Sequence, residues 1–246
     1  MTHRLAIFGD SHYACLKTAF DKGQAELPDQ VDLEFWGHVG TRFRMLEFKK
    51  DAIIPTDDYT ARRFAKFSTR NRRRLPIKDF DTVFFMGCRI PVFWIFAQLT
   101  QAKRDGVHIS SGLRKRIIKD YLPGKSKHYK IAQSAAALKA ARIILMPVSF
   151  PTWAPELTKP DIMEHPEAQT ITPEERMDIW EDIRLVMMED GITLLQQPEE
   201  TVVHGAYSKP EYAVEGYIKK NDTAHRNSDF GALIFPALSE LMDVSA

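Results

Sequence analysis

The chain has 246 residues, 44% of them hydrophobic and 27% charged, which fits one large α/β domain or two small ones in an ordinary globular protein. A formal net charge of +1 provides no overall field that would draw it to nucleic acid, and no apolar run approaches the ~18 residues of a membrane-spanning helix. Two cysteines, Cys15 and Cys88, both in apolar surroundings, are too few for a disulfide framework and read as reduced, unpaired thiols.

Met1-Thr2-His3-Arg4 runs with no leader-like segment into Leu5-Ala6-Ile7-Phe8, so the expected location is the cytoplasm. The apolar run breaks at Gly9-Asp10-Ser11-His12, and Leu16, Ala19 and Phe20 then recur at helical spacing. Ser11 therefore stands where a buried strand passes to a helix. Ligands of open α/β sheets bind at that strand edge, and N–H groups of the helix start point toward it. A serine there becomes a nucleophile once it has an anion cradle and a base. The base must be a histidine from elsewhere in the chain, and Asp222-Thr223-Ala224-His225 is the candidate.

Residues 31–36 alternate as a second strand and end in a loop with Gly37 and Gly40, from which Thr41 opens a helix over 42–50. Over 51–78 the pattern degrades. Pro55 and Asp57-Asp58 mark a loop, and Arg62, Arg63, Lys66, Arg70, Arg72, Arg73, Arg74 and Lys78 crowd into a basic loop or lid. Such a cluster can recognise phosphate, carboxylate or polyanionic glycan, but reads here as a solvated face or mobile lid. Residues 79–86 form the clearest buried strand, closing at Gly87-Cys88-Arg89. Helices follow over 91–103, 113–121 and 129–141, then a fourth strand over 142–148.

A proline-punctuated insertion over 149–171 leaves the carboxyl end of that strand and should wall the site. Within it, Trp153 either stacks on a sugar or acyl group or covers the core. Thr172-Pro173-Glu174-Glu175 is a capping box that starts a helix ending at Gly191, and 192–195 form the fifth strand. Asn227 or Ser228 caps the last helix, and no second domain is evident. Strands alternating with helices imply a parallel sheet covered on both faces. The remaining histidines show no paired ligand spacing, so neither metal nor cofactor is expected.

Gly9-Asp10-Ser11 near the start, with Asp222-x-x-His225 near the end, resembles the SGNH (GDSL-type) hydrolase family in residue type, order and placement. The resemblance spans nearly the whole chain, although few residues carry it. It implies a single-domain, flavodoxin-like three-layer α/β/α fold with a parallel sheet of about five strands in the order 2-1-3-4-5. It also implies a Ser11–His225–Asp222 triad, with the Ser11 and Gly40 N–H groups as oxyanion donors. Asp10 would anchor the turn, and His12 would either meet substrate or serve structure. In the family the third strand leads into Gly-x-Asn-Asp, whose Asn is the third oxyanion donor; here Gly87 matches, but Arg89 and Ile90 stand at the next two motif positions.

If Arg89 points inward, it can bind the oxyanion or a carboxylate, sulfate or phosphate of the substrate. If it points outward, two backbone donors remain and the esterase is feeble. Three function classes result. One is a hydrolase removing a small acyl group such as acetyl from a carbohydrate or other ester. The second is an O-acyltransferase acting on a glycan with the same triad, and the third a non-catalytic glycan- or anion-binding relative. The partner in each is a small ester or acylated glycan, neutral or anionic, with no nucleic acid.

Overall fold

The computed structural model describes residues 2–38, 40–157 and 165–243. The first strand, β1 (His3–Gly9), is second from one edge of a five-stranded parallel sheet and decides where the site forms. Leu5, Ala6, Ile7 and Phe8 are all fully buried, as befits a strand covered on both faces. Their side chains alternate, so Ala6 and Phe8 feed one core while Leu5 and Ile7 feed the other. A short 3-10 turn (Ser11–Tyr13) leads into α1 (Ala14–Asp21), and β2 (Val31–Gly37) pairs with β1 in register Gly9 to Gly37.

After β2 the chain departs from expectation. The helix expected over 42–50 is replaced by a 3-10 turn (Gly40–Met45) and β3 (Leu46–Lys49). β3 turns back through Lys50, which has φ +61°, into antiparallel β4 (Ala52–Pro55). Leu46-Glu47-Phe48-Lys49 alternates as a strand should, but Lys50-Asp51 lacks the Asn-Gly signature that marks a tight hairpin. Next come α2 (Asp58–Phe67), capped by the Asp57 side chain, and β5 (Leu75–Pro76), which completes a small three-stranded sheet.

The segment expected as a basic loop or lid is thus largely regular structure, and most of its cations are spent on acids. Arg70 and Arg72 converge with Arg4 on Glu34 of β2, a carboxylate with 1% of its side chain exposed. Arg72 also reaches Asp79 at 3.0 Å and lies over the Trp36 ring. Arg62 and Arg73 both pair with Asp58, and Lys78 with Asp51. A buried carboxylate demands such partners, because an unpaired charge in the core is costly.

The third sheet strand, β6 (Thr82–Pro91), flanks β1 on the side away from β2. It feeds α3 (Phe93–Arg104), α4 (Ser111–Lys125) and α5 (Lys127–Ala137), and the chain returns as β7 (Arg142–Val148). Part of the insertion expected over 149–171 lies outside the described residues; the described part ends in a 3-10 turn (Pro166–Thr170). The capping box of Thr172 and Glu175 forms reciprocally and starts α6 (Pro173–Glu189), ahead of β8 (Ile192–Leu194). Two-residue strands β9 (Val202–Val203) and β10 (Tyr207–Ser208), the one-turn α7 (Tyr217–Lys220) and α8 (Ser228–Leu241) complete the chain.

The main sheet runs β2-β1-β6-β7-β8, the 2-1-3-4-5 order, in a single three-layer α/β/α domain. β1 is the strand from which the chain first steps one way and then the other, so a crevice opens beyond the carboxyl ends of β1 and β6. One face is covered by α1 and α8, which share a core with Leu5, Ile7, Phe84 and Ile144. Gly231 lets these two helices meet: a Cβ there would run into the Cys15 carbonyl. Their close packing draws the start of α8, and the loop before it, to the end of β1. No helix among the described residues is long and apolar enough to cross a membrane.

Candidate active site

Asp10 follows β1 and is 2% exposed; its Oδ1 accepts the His12 N–H at 3.2 Å, which shapes the 3-10 turn and lifts Ser11 above the sheet edge. Across the turn, His225 Nε2 lies 2.7 Å from Ser11 Oγ. The same imidazole presents Nδ1 to both oxygens of Asp222, at 2.8 and 3.0 Å. A carboxylate accepts only, so Nδ1 carries the proton and Nε2 turns its lone pair toward the Ser11 hydroxyl. The structure therefore joins Ser11 to His225, 214 residues away, and to Asp222 in one hydrogen-bonded line.

The loop that carries the histidine is held from both ends. Asp222 receives the N–H groups of Ala224 and His225 on Oδ1, each at 3.1 Å, and its own N–H bonds the Tyr217 carbonyl. Burial works against the Asp222 charge, but these N–H donors and the imidazole outweigh it, so its carboxyl titrates below the usual range. Arg226, which no sequence signal singles out, is 5% exposed and enters no ion pair among the described residues. Its guanidinium donates to the carbonyls of Phe150, Thr223 and His225 and to the Thr152 hydroxyl, tying the loop to the end of β7. Burial lowers its pKa to about 10, against an opposing pull from Cys15 and Asp222.

His12 stacks on His225, with ring centroids 5.0 Å apart and planes 21° from parallel. Its ring sits in a space that exists because residue 87 is glycine: a Cβ there would lie 2.7 Å from the His12 Cβ, and φ is +69°. Burial pushes the His12 pKa down to about 4, so at neutral pH the ring is uncharged beside the His225 imidazole. His128, stacked on Phe43 at 4.1 Å with Nε2 on the Phe43 carbonyl, is likewise lowered to about 4 by burial.

These two residues set a pH dependence of stability. Their folded pKa values lie below the 6.5 of a free imidazole, so between about 6.5 and 4 the unfolded chain binds more protons than the folded one. Stability is complete above that window and is lost as pH falls through it. We expect the urea midpoint to drop between pH 7 and 5, with His128, 2% exposed, alone accounting for about 2 kcal/mol. His128→Gln should flatten the drop; an unchanged profile would show that His128 is not the titrating group.

At the end of β6 three successive residues, Gly87, Cys88 and Arg89, have φ of +69°, +50° and +54°. Left-handed backbone at a non-glycine residue costs roughly 1–2 kcal/mol, so Cys88 and Arg89 must be held there. The Cys88 thiol donates to the Phe8 carbonyl, Ser126 Oγ donates to the Cys88 carbonyl, and Arg89 Nη2 donates to the Gly40 carbonyl at 2.9 Å. Arg89 Nε stands 3.9 Å from Asp10 Oδ2 and has no hydrogen-bond partner among the described residues. Arg89 thus reaches across from β6 to the loop after β2, over the residue that precedes Ser11. Gly40, with φ +68° and open space where a Cβ would be, lies in that loop, whereas Gly37 closes β2 against the Tyr13 ring.

Cys15 and Cys88 are both buried and unpaired, and burial raises both thiols, Cys15 to about 12. The Trp153 ring packs on His204 and Tyr207 at the edge of the core. It is Trp94 that lines the cleft beside the histidine loop: about 160 Å³ walled by Pro91, Phe93, Trp94, Val148, Thr223 and Ala224. No sequence signal set Trp94 apart from the apolar face of α3, since its exposure depends on how β6 ends.

A three-layer α/β/α fold with a serine, a histidine and a carboxylate aligned beyond the end of β1 is the class that fold and site define. No family model matches the sequence, and no curated protein does. Among solved structures, the chain is similar to the extracellular lipase of Streptomyces rimosus, with a TM-score of 0.46 and 11% identity over 97% of this chain and 99% of that one.

Proposed function

We propose that this chain is a serine-dependent ester hydrolase that removes a small acyl group, acetyl in type, from a carbohydrate or other ester, with the chemistry of the SGNH family it resembles. The observation that carries this reading is the line from Asp222 through His225 to Ser11, with 2.8 and 2.7 Å between the polar atoms. Ser11 Oγ attacks the ester carbonyl while His225 Nε2 takes its proton. The C–O bond to the alcohol then breaks, and the same proton passes to the departing oxygen. Water, deprotonated by His225, next attacks the acyl-Ser11 carbonyl and frees the acid.

Asp222 holds the imidazole in the required tautomer and stabilises its cationic form. The Ser11 and Gly40 N–H groups face the developing oxyanion. Arg89, at the position of the family's asparagine, steadies the loop after β2 by donating to the Gly40 carbonyl at 2.9 Å. The small apolar cleft at Trp94 fits a short acyl chain rather than a long one. A second reading keeps the same steps but lets a glycan hydroxyl replace water. It is favoured by the further cleft that shares Pro91 as a wall and has room for an acceptor.

A fluorophosphonate probe tests the reading directly, because it reacts only with an activated serine. Ser11 should be labelled in the native protein, and labelling should vanish in His225→Ala. Labelling of another serine, or none, would remove the hydrolase and the transferase together and leave a binding protein.

A further inference from the structure

A cleft of about 500 Å³ opens beside the site, lined by Arg44, Arg89, Pro91, Lys125, Ser126, Lys127 and His128. Four of these side chains are cations and none is an acid. Arg44 leaves the 3-10 turn that follows β2, while Lys125 and Lys127 flank the junction of α4 and α5, where Ser126 caps α5. Among the described residues Arg44, Lys125 and Lys127 enter no ion pair, although Lys127 Nζ donates to the Arg44 carbonyl at 3.3 Å. Asp10 offsets part of one charge only, from 3.9 Å, and the buried Arg89 Nε keeps an unused donor.

This contrasts with the basic run over 62–78, where most cations are neutralised by Glu34, Asp32, Asp58, Asp79 and Asp51. The cleft draws its cations from three separate stretches of chain. Pro91 lines both this cleft and the apolar one next to Ala224, so the two adjoin there. An ester spanning them would have its acyl part against Trp94 and its alcohol part among the cations.

We propose that the Arg44–Arg89–Lys125–Lys127 cleft receives an anionic substituent, a phosphate, sulfate or carboxylate, on the alcohol side of the ester attacked by Ser11. The ester chemistry rests on the hydrolase reading above, whereas the anion site rests on the cleft alone. Guanidinium and ammonium groups bind oxyanions by charge-assisted hydrogen bonds, and a partly enclosed cleft screens them less than open surface does.

The test compares three acetyl esters: 1-acetylglycerol 3-phosphate, O-acetylglycerate and neutral 1-acetylglycerol. In the native protein kcat/KM for at least one anionic ester should exceed that for the neutral ester by about tenfold or more, and added salt should erode the difference. Arg44→Ala with Lys127→Ala, both exposed positions, should bring the ratio down toward one. Which anionic ester leads separates phosphate from carboxylate recognition. A ratio near one in the native protein, or one unchanged in the double variant, overturns the proposal.

A binding measurement separates this from the chemistry. Calorimetry on Ser11→Ala protein should detect glycerol 3-phosphate, and adding the two cleft substitutions should abolish the heat. Binding with no turnover of any ester would sink the hydrolase reading and leave the anion site standing. Turnover of the neutral ester without glycerol 3-phosphate binding would do the reverse.

Discussion

Ser11→Ala should fold as the native chain does and lose acyl-ester turnover by about 10⁴-fold or more. The substitution removes one oxygen, whose partner is His225 Nε2 at 2.7 Å, and leaves the turn intact, because Asp10 caps it through the His12 N–H. No other hydroxyl stands in that line, and residual activity would come only from water in the oxyanion site. The decisive comparison is kcat/KM on acetyl esters beside a urea unfolding curve. Loss of turnover at an unchanged midpoint assigns the nucleophile; turnover at the native rate in a folded variant would eliminate every covalent mechanism at this site.

Asp222→Asn should cost nearly as much, about 10⁴-fold in kcat, without removing any atom from the contact between His225 and the serine. Asp222 accepts from His225 Nδ1 through both carboxylate oxygens, and Oδ1 also takes the Ala224 and His225 N–H groups. In the amide, the oxygen satisfies those backbone donors and the NH₂ group faces Nδ1. An NH₂ group can only donate there, so the imidazole proton moves to Nε2 and the ring can no longer accept from Ser11. The loop should keep its place, because Arg226 still grips Thr223, His225 and Phe150. Crystals of the variant with an unmoved ring, alongside the kinetic loss, would separate tautomer from geometry; native rates would show that Asp222 does not set the tautomer.

Much of this architecture was legible in the chain. The strand at residues 142–148 has the expected boundaries, since a run such as Arg142-Ile143-Ile144-Leu145 has only a doubly covered strand to occupy. The capping box at Thr172 was readable because its partners are three residues apart. Ser11 and Asp222-x-x-His225 stood out because each sits at a hand-over between elements. Their meeting was visible only through the family resemblance, since residue spacing carries no distance across 214 positions. The basic segment misled because its partners, Glu34 above all, belong to an earlier strand, and a charge run reads as solvated until its counter-charges are located. The turn at Lys50 misled because its left-handed residue is not one that advertises such a turn.

The sequence by itself determined the alternation of strands and helices, the turn at Ser11 and the contact of Asp222 with His225, all of which depend on neighbours a few residues apart. Tertiary structure alone decided that α8 packs on α1 across Gly231, that Arg226 clamps the histidine loop, and that His12 lies over Gly87. It also decided which cations stay unpaired: Arg62, Arg70, Arg72 and Arg73 are neutralised, while Arg44, Lys125 and Lys127 gather around one cleft with Arg89. The physical reason is one of range. Propensity, capping and periodicity act within a turn or two of chain, whereas charge pairing and the contents of a cleft depend on where distant segments come to rest against each other.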